Sequence, residues 1–256
     1  YLDLVATASA ADIVPILDEN RVLTHFGMQV YQQSPRPGLA ALLGERKQQA
    51  ISVTDLVFRV APRINAAGRM KHGNYAVGLL LSHSMEEATK RAKAIEVFNE
   101  DRKELDREIT QQALAQIEVS GQTDKASTVV YDPDWHKGVI GIVASRLIET
   151  HYKPTVVFTC SGDVLTASAR SVRGFDLYAA LSACQEDMIQ FGGHKYAAGL
   201  TIRPEQYRGF CQRFEEVVSS QIKPQQQERS LLIDMEIPIA EITPKFYRIV
   251  NQMAPF

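Results

Sequence analysis

Residues 167–174 (ASARSVRG) hold the densest set of side chains that could bind an anion. The alternation of a β-strand puts Ser168 and Arg170 on the same side of the backbone, and Ser171 adds a second hydroxyl. Because the planar guanidinium of arginine presents a fork of donors that matches phosphate, the pattern predicts a phosphate-binding strand. The plain alternative is a solvated edge strand with no ligand.

Residues 135–141 (WHKGVIG) lie between an apolar run and a helical pattern. A strand-to-helix turn with glycine leaves backbone N–H groups and the positive end of a helix available to an anion, and His136 would add a donor there. The alternative is an ordinary strand–helix loop that holds a buried tryptophan.

Residues 191–199 (FGGHKYAAG) form a third candidate segment. Gly192 and Gly193 would let the backbone approach a ligand closely, and His194 could donate to a phosphate or transfer a proton. A histidine beside glycines is equally typical of a structural turn, so that reading stays open.

Weaker candidates lie in the first half of the chain. Residues 65–69 (NAAGR) suit close backbone packing, with the guanidinium of Arg69 projecting into a cleft, or packing alone. Asp3 lies in an apolar run that we expect to be a strand, where an unpaired charge is costly, which makes it a candidate metal ligand. Asp12 could instead cap the following segment. Residues 132–134 (DPD) imitate a D-x-D metal pair, but the proline makes a turn the simpler explanation. The six histidines are scattered, so the sequence contains no complete metal site.

Composition sets broad limits. With 45% hydrophobic and 23% charged residues, the 256-residue chain is typical of a globular protein in two lobes. No apolar run is long enough to span a membrane. Three widely spaced cysteines argue against a disulfide framework or a thiolate zinc site and favour the cytoplasm. The net charge of −2 does not exclude a nucleic-acid enzyme, because arginines can cluster in one groove. Both ends read as cut, which predicts a fragment of a longer protein.

The pattern of elements predicts an α/β protein. We expect helices over residues 20–31 and 39–43 and one long helix over 84–120, opened by a capping box at Ser84 and Glu87 and ended by Gly121. The alternation that follows predicts a mixed sheet covered by helices. The expected strands are 127–132, 154–159, 164–171 and 196–202, and the expected helices are 138–150, 176–187 and 204–222. Residues 222–229 read as a linker and residues 231–239 as the first strand of a further domain.

Taken together, these motifs resemble the RecJ form of the DHH phosphoesterases over essentially the whole chain. Residues 2–6 and 11–15 (LDLVA and ADIVP) are similar to the fourth metal motif of that family, and residues 62–69, 135–141, 168–171 and 192–199 are similar to its later signatures in order and spacing. The resemblance implies four parts. They are the tail of a DHH catalytic domain (1–83), a connecting helix (84–120), a DHH-associated substrate-binding domain (121–222) and the beginning of an OB fold (223–256).

The resemblance further implies a 5′→3′ exonuclease of DNA repair and recombination that degrades single-stranded DNA with two Mn²⁺ or Mg²⁺ ions. Asp3 would be one metal ligand, and the other ligands would lie upstream of this fragment, which should therefore be inactive by itself. Ser168 and Arg170 would hold a phosphate near the 5′ end. The remaining substrate-binding candidates, which would line the same cleft, are Arg69, His136, Ser171, Gly192, Gly193 and His194.

The sequence departs from the family pattern at two places. Residues 166–167 stand where a glycine usually precedes the serine, and residues 6–9 (ATAS) replace the usual Gly-Thr run. Two alternatives stay open: a phosphodiesterase for short RNA or cyclic dinucleotides, and a nucleic-acid-binding module without catalysis. The expected partners are single-stranded DNA, a helicase and a single-strand-binding protein, with no membrane.

Overall fold

The computed structural model describes residues 1–44 and 51–255, and the chain forms two compact units. The helical unit comprises residues 1–102 and 232–256, and the sheet unit comprises residues 103–231. In the described part of the chain, no helix is both long and apolar enough to cross a membrane.

Helices build the helical unit around a core that contains Tyr31, Leu39, Leu56 and Leu79. At Gly27 an added Cβ would lie 2.3 Å from the carbonyl oxygen of Leu2, so glycine permits the close crossing of the first two helices. The helices are α1 (Leu2–Ala11), α2 (Asp18–Gln33), α3 (Pro37–Leu43), α4 (Val53–Asp55), a π-helical turn (Leu56–Val60), α5 (Ala61–Met70) and α6 (Asn74–Leu80).

One expectation for this unit is wrong. The expected strand at Asp3 is the helix α1, because a run rich in alanine has high helix propensity and a short apolar run does not distinguish the two structures. The set of turn-forming and small residues at 62–69 is helical as well. Pro62 is the second residue of α5, which continues directly from the π-helical turn, and Ala66 and Ala67 are buried.

The long helix is confirmed as α7 (Met85–Val119). The Ser84 hydroxyl accepts from the backbone N–H of Glu87 at 3.2 Å, and the Glu87 carboxylate accepts from the N–H of His83, so both capping side chains are engaged. Past the end of α7, Gly121 adopts a left-handed conformation that suits glycine. The boundary between the two units falls within this helix, after Arg102.

The sheet unit holds the expected mixed sheet, with strand order β1-β2-β3-β5-β4. The β1–β2 pair is parallel and the other pairs are antiparallel. The strands are β1 (Thr128–Tyr131), β2 (Thr155–Ser161), β3 (Val164–Arg170), β4 (Gln190–His194) and β5 (Ala197–Ile202), and the helices are α8 (Ile140–Thr150), α9 (Leu177–Ser182) and α10 (Tyr207–Gln221).

Burial explains why four of these strands could be predicted. Leu165, Ala167 and Ala169 alternate with more exposed residues along β3, and they pack in one core with Phe210 and Phe214 of α10. The sequence did not predict β4, because its two glycines are typical of a turn and weaken a strand pattern.

The expected strand at residues 231–239 is wrong. That stretch is irregular up to the 3₁₀ turn that begins at Ile239, and Leu231 and Ile233 are exposed. A strand requires a neighbour to satisfy its backbone groups, and no strand of the described part pairs with this segment. The helix α11 (Pro244–Gln252) follows, with the hydroxyl of Thr243 accepting from the N–H of Phe246.

Candidate functional site

One face of the sheet in the sheet unit collects four of the eight predicted substrate-binding residues: Ser168, Arg170, Gly192 and His194. The register places side chains in three rows across strands β3, β5 and β4, and residues opposite each other in an antiparallel sheet share a face. We call this surface the open face. Its rows are Arg170–Ala197–His194, Ser168–Gly199–Gly192 and Thr166–Thr201–Gln190. The intervening residues of β5 point into the core, since Ala198, Leu200 and Ile202 are buried.

Ser168, Arg170 and the first turn of α8 converge at one edge of the open face. An added Cβ at Gly141 would lie 2.9 Å from the Ser168 hydroxyl and 3.0 Å from Nη2 of Arg170, so glycine makes room for both side chains. Nη1 of Arg170 donates to the Ser168 hydroxyl at 3.0 Å and to the carbonyl of Ala169 at 2.8 Å. A guanidinium and a hydroxyl beside a helix N-terminus form a favourable environment for an anion.

Trp135 fixes the loop that leads into α8. Its indole N–H donates to the side chain of Gln112 at 2.7 Å, and its carbonyl accepts from the hydroxyl of Thr159 at 2.6 Å. Trp135 itself is buried, with 5% of its surface exposed. The tryptophan therefore anchors the segment that carries His136.

His136 and His194 make the same local hydrogen bond. Nδ1 of His136 accepts from the backbone N–H of Gly138 at 3.1 Å, and Nδ1 of His194 accepts from that of Tyr196 at 3.2 Å. While it accepts this bond, a neutral ring carries its proton on Nε2. Each histidine can therefore donate one further hydrogen bond from Nε2, which suits a phosphate oxygen.

The glycines of β4 have different structural reasons. Gly193 has a φ of +152°, and an added Cβ would lie 2.3 Å from the carbonyl oxygen of Ala197, so the backbone itself requires glycine there. At Gly192 an added Cβ would meet no atom within 4 Å. Neither packing nor a positive φ explains Gly192, whereas the close approach of a ligand would.

The hydroxyl and the backbone N–H of Ser171 are both hydrogen-bonded within the protein. Its hydroxyl donates to the carbonyl of Phe175 at 2.9 Å, and its backbone N–H donates to the carbonyl of Tyr196 at 3.0 Å. These bonds close the loop that follows β3 and join it to the turn between β4 and β5. The geometry favours a supporting role for Ser171 over direct contact with a ligand.

A groove of about 420 Å³ continues the open face beyond the glycines. Thr166, Thr201 and Gln190 line it as one row, and these residues were not among the predicted site residues. Thr166 could have been found, because the alternation that pairs Ser168 with Arg170 extends to it. Gln190 could not, because its strand was not predicted.

Two of the predicted site residues lie in the helical unit. Arg69 is exposed in the last turn of α5. The carboxylate of Asp3 is 3% exposed and forms a two-point ion pair with Arg36, at 2.5 Å to Nε and 2.9 Å to Nη2. Burial raises the pKa of Asp3, but the hydrogen bonds from Arg36 and from the N–H of Leu4 outweigh it and hold the pKa below its usual value.

These residues do not fit a metal pair by themselves. Across residues 1–44 and 51–255, no group of three or more histidines, cysteines or carboxylates could hold a cation. Arg36 already compensates the charge of Asp3. A single carboxylate in this state falls short of the several oxygen ligands that Mg²⁺ or Mn²⁺ requires.

Comparison with known proteins connects this geometry to a family. The DHHA1 domain model matches residues 124–220, which include the whole open face. Over 266 aligned residues the chain is 35% identical to the single-stranded-DNA-specific exonucleases RecJ of Salmonella typhimurium and of Escherichia coli. The alignments cover all of this chain and 46% of each relative, so the chain spans about half the length of the curated relatives it matches.

Solved structures agree. The crystal structure of RecJ from Thermus thermophilus in complex with Mg²⁺ matches all of this chain with a TM-score of 0.88 and 27% identity, over 40% of that chain. The complex of the same protein with Mn²⁺ matches with a TM-score of 0.89, over 38% of that chain. The expected α/β architecture with a long helix and a mixed sheet is confirmed.

Proposed function

This chain is a RecJ-like polypeptide along its whole length, and from this premise we propose that it holds the substrate-binding part of a 5′→3′ exonuclease specific for single-stranded DNA. The whole enzyme would hydrolyse phosphodiester bonds in DNA repair and recombination. The observation that carries the proposal is the convergence of Arg170, Ser168 and the start of α8 beside Gly141.

The open face suits a single strand held by its backbone. The guanidinium of Arg170 and the hydroxyl of Ser168 would donate to a phosphate near the 5′ end, with the Nε2–H groups of His136 and His194 as further donors. Gly192 leaves room for the sugar–phosphate chain beside them. Contacts of this kind position the nucleic acid and carry no base sequence, which is the behaviour required of an enzyme that degrades any strand.

Divalent cations, Mn²⁺ or Mg²⁺, complete the proposal for the whole enzyme. When bound, such ions activate water and stabilise the charge on the scissile phosphate. Asp3 is our candidate for one ligand, and the other ligands would come from polypeptide that this chain does not contain. We therefore expect this chain to bind DNA without cutting it.

The cellular setting is part of the same proposal. The three cysteines are free thiols, which suits the reducing cytoplasm. A helicase would supply the single strand, and a single-strand-binding protein would present it. The DHH-associated domain, proposed for residues 121–222, would be the part that receives the strand.

A binding titration tests the proposed phosphate site. Fluorescent oligonucleotides with a 5′-phosphate, a 5′-hydroxyl or a blunt duplex end are titrated with the chain, with Arg170→Gln and with Arg208→Gln. Arg208 is an exposed arginine of α10, the helix that packs against the opposite side of the sheet, so its variant removes the same charge away from the open face. We expect the 5′-phosphorylated single strand to bind best, and Arg170→Gln to weaken it by about 1–3 kcal/mol.

The control variant should bind like the unchanged chain. If single strand and duplex bind equally, or if Arg170→Gln and Arg208→Gln behave alike, the proposed phosphate site is wrong. The non-catalytic binding module would then be the better account of this chain.

A further inference from the structure

The turn between β4 and β5 presents an aromatic ring and a cation beside the proposed phosphate site. Tyr196 is 46% exposed, and the ammonium of Lys195 lies 4.7 Å from the centre of its ring. The imidazole of His194 lies edge-on to the same ring, with 6.1 Å between ring centres. The turn therefore combines a π surface with two groups that can approach a phosphate.

Three hydrogen bonds fix the backbone of this turn. The carbonyl of Tyr196 accepts from the N–H of Ser171, and the carbonyl of Lys195 accepts from the N–H of Leu177. The N–H of Tyr196 donates to Nδ1 of His194. A turn whose backbone is held in this way does not have to be ordered when a ligand binds, which favours affinity.

The register places the turn next to Arg170, the residue proposed to bind the phosphate. Ala197 pairs directly with Arg170 across β5 and β3 and with His194 across β5 and β4, and Tyr196 precedes Ala197. A nucleotide whose phosphate is bound by Arg170 and Ser168 would have its base within reach of the tyrosine ring. Stacking on aromatic side chains is the general way in which proteins bind single strands without reading their sequence.

We propose that Tyr196 is a stacking platform for the base of the 5′-terminal nucleotide, adjacent to the phosphate bound by Arg170 and Ser168. The inference rests on the proposed function, because it takes the ligand to be single-stranded DNA with its 5′ end at this site. Lys195 carries its charge on a flexible stem, so its ammonium leaves the ring for a phosphate oxygen when the base stacks.

The competing explanation is a surface cation–π pair with no ligand. Such pairs are common in proteins and need no function. The two explanations differ in one measurable respect: only a stacking platform makes binding depend on the presence of a base at a particular nucleotide.

The test uses 5′-phosphorylated oligonucleotides that carry 2-aminopurine or an abasic site at the first, second or third nucleotide. Fluorescence of 2-aminopurine is quenched when it stacks on an aromatic ring. We expect quenching at the first nucleotide, and a roughly 10-fold loss of affinity both for an abasic site there and for Tyr196→Ala. Tyr196→Phe should restore quenching and most of the affinity, because it keeps the ring.

Tyr178→Ala is the matched control. Tyr178 is 44% exposed, and its ring contacts Phe191, which packs against the core on the other side of the sheet. Its variant should change neither quenching nor affinity.

Failure of this inference can be told apart from failure of the proposed function. If Arg170→Gln weakens binding while Tyr196→Ala and the abasic sites have no effect, Tyr196 is not a platform and the phosphate site stands. If Arg170→Gln has no effect, the proposed function fails first. Quenching that persists in Tyr196→Ala would also overturn the inference.

Discussion

Gly141 shows how a single missing side chain can shape the proposed site. Ser168 and Arg170 occupy the space that a Cβ at this position would need, at 2.9 and 3.0 Å. Both contacts are with the outer atoms of side chains, so an alanine would displace those atoms while the helix stays intact. Alanine also has the higher helix propensity, which offsets part of the strain.

We therefore expect Gly141→Ala to weaken binding of a 5′-phosphorylated single strand about 10-fold or more while the free energy of unfolding changes by less than about 1 kcal/mol. Oligonucleotide titration and urea unfolding of the same preparation measure the two quantities. Equal binding by the variant would mean that the positions of Ser168 and Arg170 do not matter for the ligand.

Asp3 and Arg36 form a largely buried ion pair in the helical unit. Arg36 is 23% exposed at its side chain, whereas Asp3 is 3% exposed, so removal of the arginine leaves a buried carboxylate without its partner. We expect Arg36→Ala to lower the free energy of unfolding by about 3 kcal/mol. Urea unfolding measures the change.

The double variant Asp3→Asn with Arg36→Ala is the informative control for that prediction. Because it removes the buried charge together with its partner, it should be more stable than Arg36→Ala alone. If the double variant is as unstable as the single one, the loss comes from the packing of the arginine and not from the ion pair.

At the scale of elements, β1 is an edge strand whose outer backbone groups are satisfied by glutamines. The side chain of Gln116 donates to the carbonyl of Tyr131 and accepts from its N–H, both at 2.9 Å. The side chain of Gln122 makes the same pair of bonds with Val129, both at 2.8 Å. Two amide side chains thus take the place of a neighbouring strand and block pairing with another chain.

We expect Gln116→Ala to lower the free energy of unfolding by about 1–3 kcal/mol, because Tyr131 loses partners for two backbone groups. The exposed edge should also promote self-association, which sedimentation velocity detects. Gln111→Ala, an exposed glutamine of the same helix, is the control and should change neither property. A similar loss in both variants would point to helix propensity and not to the edge.

The sequence correctly predicted the elements in which apolar residues recur with a clear period. The alternation along β3 and the 3.6-residue period of α10 survive in the fold, with Phe210 and Phe214 buried one turn apart. The prediction failed at Asp3, where small residues suit either structure, and at Gly193, where a glycine lies inside a strand. Glycine is required at position 193 because a side chain there would collide with Ala197 of the neighbouring strand. The residues around Gly193 in the sequence do not reveal that contact.

The candidate site was predictable to the same extent. The two-residue spacing of Ser168 and Arg170 sufficed to place them together, because residues two apart on one strand share a face. The contact of Gly141 with both residues joins a helix to a strand, and the pair of Asp3 and Arg36 joins residues 33 positions apart. Contacts of this kind depend on how elements pack, which a single sequence does not state.

At the scale of the whole molecule, charge decides how the proposed ligand would be held. The net charge is −2, so the chain as a whole does not attract a polyanion, and affinity must come from a few local cations. Arg170 and Lys195 are the cations at the open face and its adjoining turn that the proposals use. The bonds of Arg170 and of this turn described above all lie within residues 103–231, the sheet unit.

Salt dependence measures the number of such contacts. For a single strand, the logarithm of the association constant falls with the logarithm of salt concentration with a slope of about −0.7 for each phosphate neutralised. Two or three contacts predict a slope between about −1.4 and −2.1, far shallower than that of a strongly basic protein. Arg170→Gln should make the slope shallower by about 0.7, whereas Arg208→Gln should leave it unchanged. An unaltered slope in Arg170→Gln, even with weaker binding, would show that this guanidinium supports the fold of the site and does not touch the phosphate.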